Sequence, residues 1–323
     1  MKAVFGLLPT DVDRRVRFLA ILTLVVQVLI VATGGAVRLT GSGLGCPTWP
    51  LCTDASLVAT PEMGVHGVIE FGNRLLSIIV GLVAVATVVF LLRLRRQRRD
   101  LFVRAILVLV GTVLQGFIGG ISVRVALDPA VVGVHFGISV VLVVIAATLV
   151  YRVFFGVRGP RLSVPRGYAA LAYVTSLAVA VTVVMGILTT GAGPHAGDAA
   201  SDRNGLDPEL LQHFHAWPGY VTVALTLALV VWALRLRTPV LTRSTIALLG
   251  IEVVQVAVGI TQARLGLPPL LVGIHMVLAC LLAAAMAWVV LSLREPAALP
   301  PARPGYPDPE GRDVAAPEVL AQR

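Results

Sequence analysis

Four histidines near the start of four apolar segments are the residues of this chain best suited to bind a metal. They are His66, His135, His215 and His275. Each lies about three to six residues past the predicted start of a helix, which at 1.5 Å per residue places it roughly 5–9 Å deep. A histidine in an apolar segment is costly unless it has a partner. Two imidazoles are enough to bind one haem iron from both faces, or to form part of a metal site.

The chain repeats itself after a shift of 140 residues, which brings His135 onto His275 and Gln115 onto Gln255. Six further residues between these ends are identical to the residue 140 positions later, without a gap. In the first half they are Gly119, Arg124, Leu127, Pro129, Val132 and Gly133, and in the second half Gly259, Arg264, Leu267, Pro269, Val272 and Gly273. The segment Thr40-Gly41-Ser42-Gly43 is echoed by Thr190-Gly191-Ala192-Gly193. The repeat predicts two parallel halves, 1–155 and 160–294, with one equivalent site each. A single histidine could instead form an interhelical hydrogen bond, but four at matched depth favour a shared ligand role.

The composition is that of a membrane protein. The chain has 323 residues, 57% of them hydrophobic, with a mean hydropathy of +0.90. Eight segments are long enough to cross a hydrocarbon core, and they must be helices because lipid satisfies no backbone groups. The predicted spans are 18–39, 64–92, 101–122, 131–153, 168–190, 211–234, 244–263 and 270–293. We therefore expect an all-α integral membrane protein made of two pseudo-symmetric four-helix bundles.

The net charge of +9 follows the topology rather than indicating a nucleic-acid partner. The loops after the second, fourth and sixth spans are rich in arginine: Arg93, Arg95, Arg96, Arg98, Arg99, Arg104, Arg152, Arg158, Arg161, Arg166, Arg235, Arg237 and Arg243. The alternate loops hold only Arg38, Arg124, Arg203 and Arg264. This asymmetry predicts cytoplasmic termini and histidines toward the extracytoplasmic leaflet. The proline- and charge-rich segment 295–323 is predicted to be a disordered cytoplasmic tail.

The second span carries a polar stripe. His66, Glu70, Asn73 and Ser77 fall within an arc of about 60° on a helix and are predicted to face the bundle interior. Glu70 is expected either to pair with Arg74 or His66, or to handle protons beside a substrate. The sequence leaves both interpretations open.

Several other polar residues have two interpretations each. Gln115 and Gln255 either join helices by hydrogen bonds or line the two sites. Glu252, on the same face as Gln255, is a candidate for proton passage.

The first loop contains Cys46 and Cys52, which are close enough in the sequence to form a disulfide outside the cytoplasm. Such a bond is either a structural staple for the loop or a redox-active pair. Cys280, within the last span, is expected to serve packing.

These motifs resemble the haem A synthases, the bacterial and mitochondrial membrane enzymes that convert haem O to haem A. The resemblance covers nearly the whole membrane region. It rests on the loop Gly-Ser-Gly-Leu-Gly-Cys46-Pro-Thr-Trp-Pro-Leu-Cys52, on Glu70-Phe-Gly-Asn73-Arg74, and on the histidines that open the fourth, sixth and eighth helices. The fold of that family, two fused four-helix bundles, agrees with the internal repeat.

The resemblance implies a different role for each half. The second half would hold a haem b cofactor between His215 and His275. The first half would bind haem O and oxidise one of its ring methyl groups to a formyl group, with Glu70 as the catalytic acid residue. The residues expected to bind the substrate haem are His66, His135, Asn73 and Arg74.

Two positions depart from the family pattern. Asn73 stands where many members have a histidine, so we expect His66, two turns earlier on the same helix face, to supply the missing ligand. Ala216 stands where members often have an arginine after the histidine of the sixth helix, which affects only the surroundings of the cofactor.

The leading hypothesis is thus a haem-dependent membrane oxidoreductase acting on a CH3 group, in a bacterial plasma membrane. Its expected partners are a haem O synthase, an unidentified electron donor and the lipid bilayer, with a homo-oligomer left open. A diheme transmembrane electron-transfer cytochrome b is the alternative, but Glu70 and Asn73 break the symmetry that a relay would use. A quinone-linked thiol oxidase centred on Cys46 and Cys52 would leave the four histidines unexplained.

Overall fold

The computed structural model describes residue 6 and residues 8–297. Within that part of the chain, eight helices are long and apolar enough to cross a membrane, which confirms the predicted number of spans. In chain order these helices are α1 (Arg14–Leu39), α2 (Gly64–Leu91), α3 (Arg99–Arg124), α4 (Pro129–Phe155), α5 (Arg166–Ala192), α6 (Pro208–Leu236), α7 (Pro239–Arg264) and α8 (Pro269–Ser292). A short 3-10 turn, Pro61–Met63, precedes α2.

Local sequence fixes where the histidine-bearing helices begin. Asp128 caps α4 and Asp207 caps α6 by accepting hydrogen bonds from backbone N–H groups of the first turn. A proline follows each cap at the first helical position, where its missing N–H costs nothing. Helix α8 also begins at a proline, Pro269. These starts set the depth of the histidines that follow six or seven residues later.

Each half is a ring of four helices. In the first half α1 packs on α2, α2 on α3, α3 on α4 and α4 back on α1, and α5 to α8 repeat the same order. The halves meet through α4 and α8, with α1 against α8 and α5 against α4. This arrangement is pseudo-symmetric, because the contact of α1 with α8 corresponds to that of α5 with α4 when the two halves are exchanged.

A dry core joins the two halves. It contains Val31 of α1, Val143 of α4 and Cys280 of α8, and Cys280 is fully buried there. Beside it, the Trp288 Nε1–H donates a hydrogen bond of 2.9 Å to the carbonyl of Ala147. Cys280 therefore packs in the interface between the halves, as expected.

The turn from α3 to α4 has the same backbone shape as the turn from α7 to α8. Leu127 and Leu267 have φ angles of 62° and 61°, in the left-handed region. Each also donates its N–H over 2.8 Å to a carbonyl of the preceding helix. Because a left-handed residue other than glycine costs roughly 1–2 kcal/mol, its recurrence at both leucines shows that the repeat is structural.

A small sheet that the sequence did not predict closes the opposite end of the bundle. Strand β1 (Arg158–Leu162), in the linker between the halves, pairs antiparallel with β2 (Arg294–Pro296), which follows α8. Strand β2 includes the first two residues of the predicted tail. Residues 298–323, where the rest of that tail prediction falls, lie outside the described residues. Which membrane face each end meets remains a prediction from the arginine pattern.

Candidate functional site

The first half encloses a cavity of about 480 Å³. Ligand pockets in proteins commonly have volumes of about 300–1,000 Å³. The cavity is lined by all four helices of the half, and α5 and α8 contribute Ile187, Thr190 and Met276. Of the five residues predicted to act on or bind the substrate haem, the structure brings four together here: Glu70, Asn73, Arg74 and His135.

The cavity reaches the side of the bundle. Ser77 and Ile78 of α2 and Gly116 of α3 line the cavity and are also exposed on the outer surface of the helices. Ile78 alone keeps 59% of its surface exposed. Because these lining residues are exposed, the gap between α2 and α3 is the candidate entry for a hydrophobic ligand.

His135 is the imidazole of this cavity. It is the seventh residue of α4, which places it about 9 Å below the helix start. Gly119 of α3 leaves room for the ring, since a Cβ there would lie 3.4 Å from His135 Cε1. Its Nδ1 is buried without a hydrogen-bond partner among the described residues. A buried polar atom without a partner is costly, so a ligand that engages this ring would be favoured.

Asn73 lies on α2 and also lines the cavity. The Thr33 hydroxyl of α1 donates a hydrogen bond of 2.7 Å to the Asn73 Oδ1. A Cβ at Gly34 would lie 3.9 Å from the Asn73 Nδ2, so the amide packs directly on α1. Asn73 thus occupies the α2 side of the cavity where the family pattern has a histidine.

His66 does not reach the cavity. It lies in the first turn of α2, is exposed, and its Nδ1 is 2.9 Å from the Ser42 hydroxyl. Its backbone carbonyl packs so tightly on Gly45 that a Cβ there would overlap it. The first turn of α2 thus faces the disulfide loop, and only the deeper turns face the cavity. The expectation that His66 supplies the missing iron ligand has no support in this geometry.

Glu70 and Arg74 form a buried ion pair, with Arg74 Nη2 2.5 Å from Glu70 Oε1. Of the two interpretations of Glu70, the structure therefore contains the pairing with Arg74, and not with His66. The Cys46 N–H donates a hydrogen bond of 2.6 Å to the other carboxylate oxygen. Arg74 also donates to the carbonyls of Cys46, Thr48 and Leu51. The pair thus fixes the loop at the cavity rim while Glu70 still lines the cavity.

Cys46 and Cys52 form the predicted disulfide, and both are fully buried. Thiol–disulfide exchange requires access to a sulfur atom, and burial restricts that access. The placement favours the structural staple; a redox role stays a prediction. Within the same loop Trp49 lines the cavity, and a Cβ at Gly120 of α3 would overlap its ring.

In the second half, His215 of α6 faces His275 of α8. Their ring centres are 6.0 Å apart, with an angle of 80° between the planes. The His215 Nδ1 lies 3.0 Å from the Thr182 carbonyl, which fixes that nitrogen as the donor and leaves Nε2 free for a metal. With metal–nitrogen bonds of about 2 Å, two imidazoles on opposite faces of one metal ion have ring centres roughly 6 Å apart. The observed spacing fits that arrangement.

Two glycines make room for these rings. A Cβ at Gly186 would lie 2.9 Å from His215 Cε1, and one at Gly259 would lie 3.0 Å from His275 Cε1. The His275 Nδ1, like that of His135, is buried without a partner among the described residues.

The donor set fits haem better than a free metal ion. Among the described residues no group of three or more His, Cys, Asp and Glu side chains is placed to hold a metal. A free zinc ion usually takes three or four protein ligands. A porphyrin supplies four nitrogens itself, so the pair His215 and His275 would complete the coordination of its iron.

The two glutamines form the same interhelical hydrogen bond in both halves. Gln115 donates over 2.8 Å to the His135 carbonyl, and Gln255 donates over 3.1 Å to the His275 carbonyl. Gln115 additionally lines the cavity. Glu252 is buried in α7, where it accepts a hydrogen bond of 2.8 Å from the Thr226 hydroxyl. Its role in proton passage stays a prediction.

Sequence reasoning missed Arg38 as a cavity residue. Its sequence position groups it with the loop arginines, although it lies one residue inside the end of α1. The position of Arg38 within an apolar helix could have marked it as a candidate site residue, because a guanidinium there needs a partner as much as a histidine does.

The fold and these two sites define a duplicated membrane protein whose described residues form eight spanning helices, with half-buried imidazoles in both halves. The family model described as cytochrome oxidase assembly protein matches residues 17–287. The chain therefore belongs to that family.

Three relatives are named heme A synthase. The protein of Halalkalibacterium halodurans is 29% identical over 143 residues, 43% of this chain and 47% of its own length. That of Exiguobacterium sp. is 34% identical over 116 residues, 36% of this chain and 38% of its own length. That of Bacillus cereus is 34% identical over 131 residues, 40% of this chain and 41% of its own length. The chain thus spans less than half the length of these curated relatives in the matched segments.

Proposed function

We propose that the protein is a haem A synthase, which oxidises a ring methyl group of haem O to a formyl group. Its membership of the cytochrome oxidase assembly family and the names of its relatives support this function. The observation that carries it is the pairing of two unlike sites: a closed pair of histidines in one half, and a side-open cavity with one histidine in the other.

The second half, 160–294, is proposed to hold haem b as the resident cofactor, ligated by His215 and His275. When bound, haem b supplies one-electron chemistry that amino-acid side chains lack. The protein orients the ligands: the Thr182 carbonyl fixes the His215 ring, and Gly186 and Gly259 leave room for both imidazoles.

The first half, 1–155, is proposed to bind haem O as the substrate. Its farnesyl tail makes haem O soluble in lipid, which suits entry through the gap beside Ile78. His135 would ligate the substrate iron from the α4 side, and Asn73 would face the opposite side. We assign proton exchange beside the substrate to Glu70, the carboxylate that lines the cavity and is held in place by Arg74.

We place the enzyme in a bacterial plasma membrane, since the named relatives are bacterial and the eight helices suit a multi-pass membrane protein. A haem O synthase is the expected supplier of the substrate, because haem O is its product.

The test is co-expression with a haem O synthase in a host that makes no haem A, followed by mass spectrometry of the extracted haems. We expect haem A with the wild-type protein and only haem O with the His215→Ala variant. His213→Ala is the matched control, because His213 is a neighbouring, exposed histidine of the same helix. Accumulation of haem O beside well-expressed wild-type protein would overturn the proposal.

A further inference from the structure

Arg38 is a cation that faces the cavity of the first half. It lies near the end of α1 and is one of the lining residues. Its Nε donates a hydrogen bond of 2.7 Å to the His195 carbonyl, and its Nη2 donates one of 3.0 Å to the Thr190 carbonyl. These two bonds hold the guanidinium in place but neutralise none of its charge.

The charge of Arg38 has no acidic partner in the described part of the chain. The ion pairs there are Arg15 with Asp13, Arg74 with Glu70, and Arg98 with Asp100. Glu70, the carboxylate that lines the same cavity, is thus already paired. An unpaired guanidinium removed from water is strongly unfavourable, so an anionic ligand in the cavity would be stabilised by it.

The neighbouring loop carries Arg203 together with Asp198 and Asp202, so the anchoring charge at this cavity is that of Arg38 itself. Burial and then the charges of Arg38 and Arg203 lower the pKa of His195. Arg203 itself donates hydrogen bonds to the carbonyls of Ser201 and Pro194.

The position of Arg38 relative to His135 matches one class of ligand. Arg38 is bonded to Thr190, and the next residue, Gly191, lies against Pro129 at the start of α4. His135 is six residues further along α4, about 9 Å deeper. A ligand that places iron at His135 and extends carboxylates toward the disulfide loop would meet both groups. Porphyrins with propionate side chains have that shape.

We propose that Arg38 binds a propionate carboxylate of the porphyrin in this cavity and thereby fixes which edge of the macrocycle points toward the disulfide loop. The inference rests on the proposed function, because it takes the ligand to be a haem. Charge-assisted bonds between arginine and a carboxylate are short, directional and about twice as strong as neutral ones. The equivalent position of α5, in the register that aligns Thr40 with Thr190, is Leu188, so this anchor belongs to one half only.

The test is fluorescence titration of the purified full-length protein, carrying its resident haem b, with two probes. Zinc protoporphyrin IX has free propionates, and its dimethyl ester has none. We expect the wild-type protein to bind the free acid at least about tenfold more tightly than the ester, which corresponds to about 1.4 kcal/mol. In Arg38→Gln this preference should disappear through weaker binding of the acid, with the affinity for the ester unchanged.

Arg264→Gln is the matched control, because Arg264 is an exposed arginine at the same end of the second half and does not line the cavity. It should keep the wild-type preference, and Arg38→Lys should keep most of it.

Equal affinities for acid and ester in the wild type would overturn the inference and leave the proposed function standing. Retention of the preference in Arg38→Gln would overturn the inference in the same way. Failure of the wild type to bind either probe would count against a porphyrin cavity, and so against the proposed function itself. Because the comparison of the two probes uses wild-type protein, equal affinities would overturn the inference even if Arg38→Gln does not fold. A second variant, Arg38→Met, would then be tested for loss of the preference.

Discussion

The two halves of the protein have the same helix arrangement, and their sites differ in the residue that stands opposite the histidine of α4 or α8. In the second half His215 of α6 faces His275 of α8. In the first half His135 of α4 has its counterpart on α2 in Asn73, which lines the same cavity.

The equivalence of Asn73 and His215 follows from their contacts with α1 and α5. The Thr40 hydroxyl donates to the Ala36 carbonyl, and the Thr190 hydroxyl donates to the Gly186 carbonyl, so these turns correspond. His215 packs against Thr182 and Gly186 of α5. Asn73 packs against Thr33 and Gly34 of α1, within the same turn of the register. Asn73 therefore stands where the second half has its imidazole.

Under the proposed function, the difference separates a holding site for the cofactor from an exchange site for the substrate. A metal gripped by two protein imidazoles dissociates slowly, as a resident cofactor should. A site with one imidazole and an opening beside Ile78 lets its ligand enter and leave, as a substrate site must. An electron relay between two permanent haems would gain nothing from this asymmetry, so the comparison favours an enzyme over the diheme cytochrome alternative.

The largest effect is expected from removing the ligands of the second half. His215→Ala and His275→Ala should each reduce haem b retention roughly 100-fold or more and abolish haem A formation, because the proposed cofactor would lose one of its two protein ligands. The pyridine haemochrome spectrum of the purified protein measures the haem content. His213→Ala should retain the wild-type spectrum. An unchanged spectrum in either variant would contradict the proposal that His215 and His275 bind haem b.

Glu70→Gln tests the carboxylate of the exchange site. The amide keeps the shape of the side chain but cannot accept a proton, so haem A formation should fall about 100-fold or more while haem b is retained.

Arg74→Gln has a different expected effect, since it leaves Glu70 buried without its partner and should destabilise the fold by about 3–5 kcal/mol. Product analysis and thermal unfolding separate the two effects. Wild-type turnover in Glu70→Gln would exclude the residue from the mechanism.

Asn73→His should make the first half resemble the second. With an imidazole on each side, the cavity should retain a co-purified haem, and the haem content should rise from about one to about two per protein. The iron of the haem retained in this cavity should become six-coordinate and low-spin, as measured by electron paramagnetic resonance. Haem A formation should fall because the substrate exchanges slowly. Asn73→Gln, which adds no imidazole, is the control. If Asn73→His leaves the haem content and spin state unchanged, Asn73 and His215 are not equivalent.

The helices were predictable from the sequence because apolar length decides which segments cross a membrane, and Asp-Pro pairs mark the starts of α4 and α6. The repeat likewise aligned Leu127 with Leu267, and the structure places both in matching turns. Pairing of β1 with β2 was not predictable, since these short segments, rich in arginine and proline, show no alternation of polar and apolar residues.

The candidate site was predicted in part. Helical periodicity placed His66, Glu70 and Asn73 on one face of α2, but periodicity does not reveal what lies opposite that face. Along α2 the opposing structure changes from the disulfide loop near His66 to the cavity near Asn73. The contribution of Arg38 was missed for the same reason, because it depends on how α1 meets the loop after α5.

The smallest effect is expected from His66→Ala, and it tests whether the first half truly has one imidazole. The variant loses a hydrogen bond to Ser42, worth about 1 kcal/mol of unfolding free energy, and should bind zinc protoporphyrin IX within about twofold of wild type. Ser42→Ala removes the same bond from the other side, so the double variant should be no less stable than either single variant. If His66→Ala loses porphyrin binding while Ser42→Ala retains it, then His66 reaches the iron. The first half would in that case hold its ligand with two histidines, as the second half is proposed to do, and the contrast between the halves would have to rest on the side opening alone.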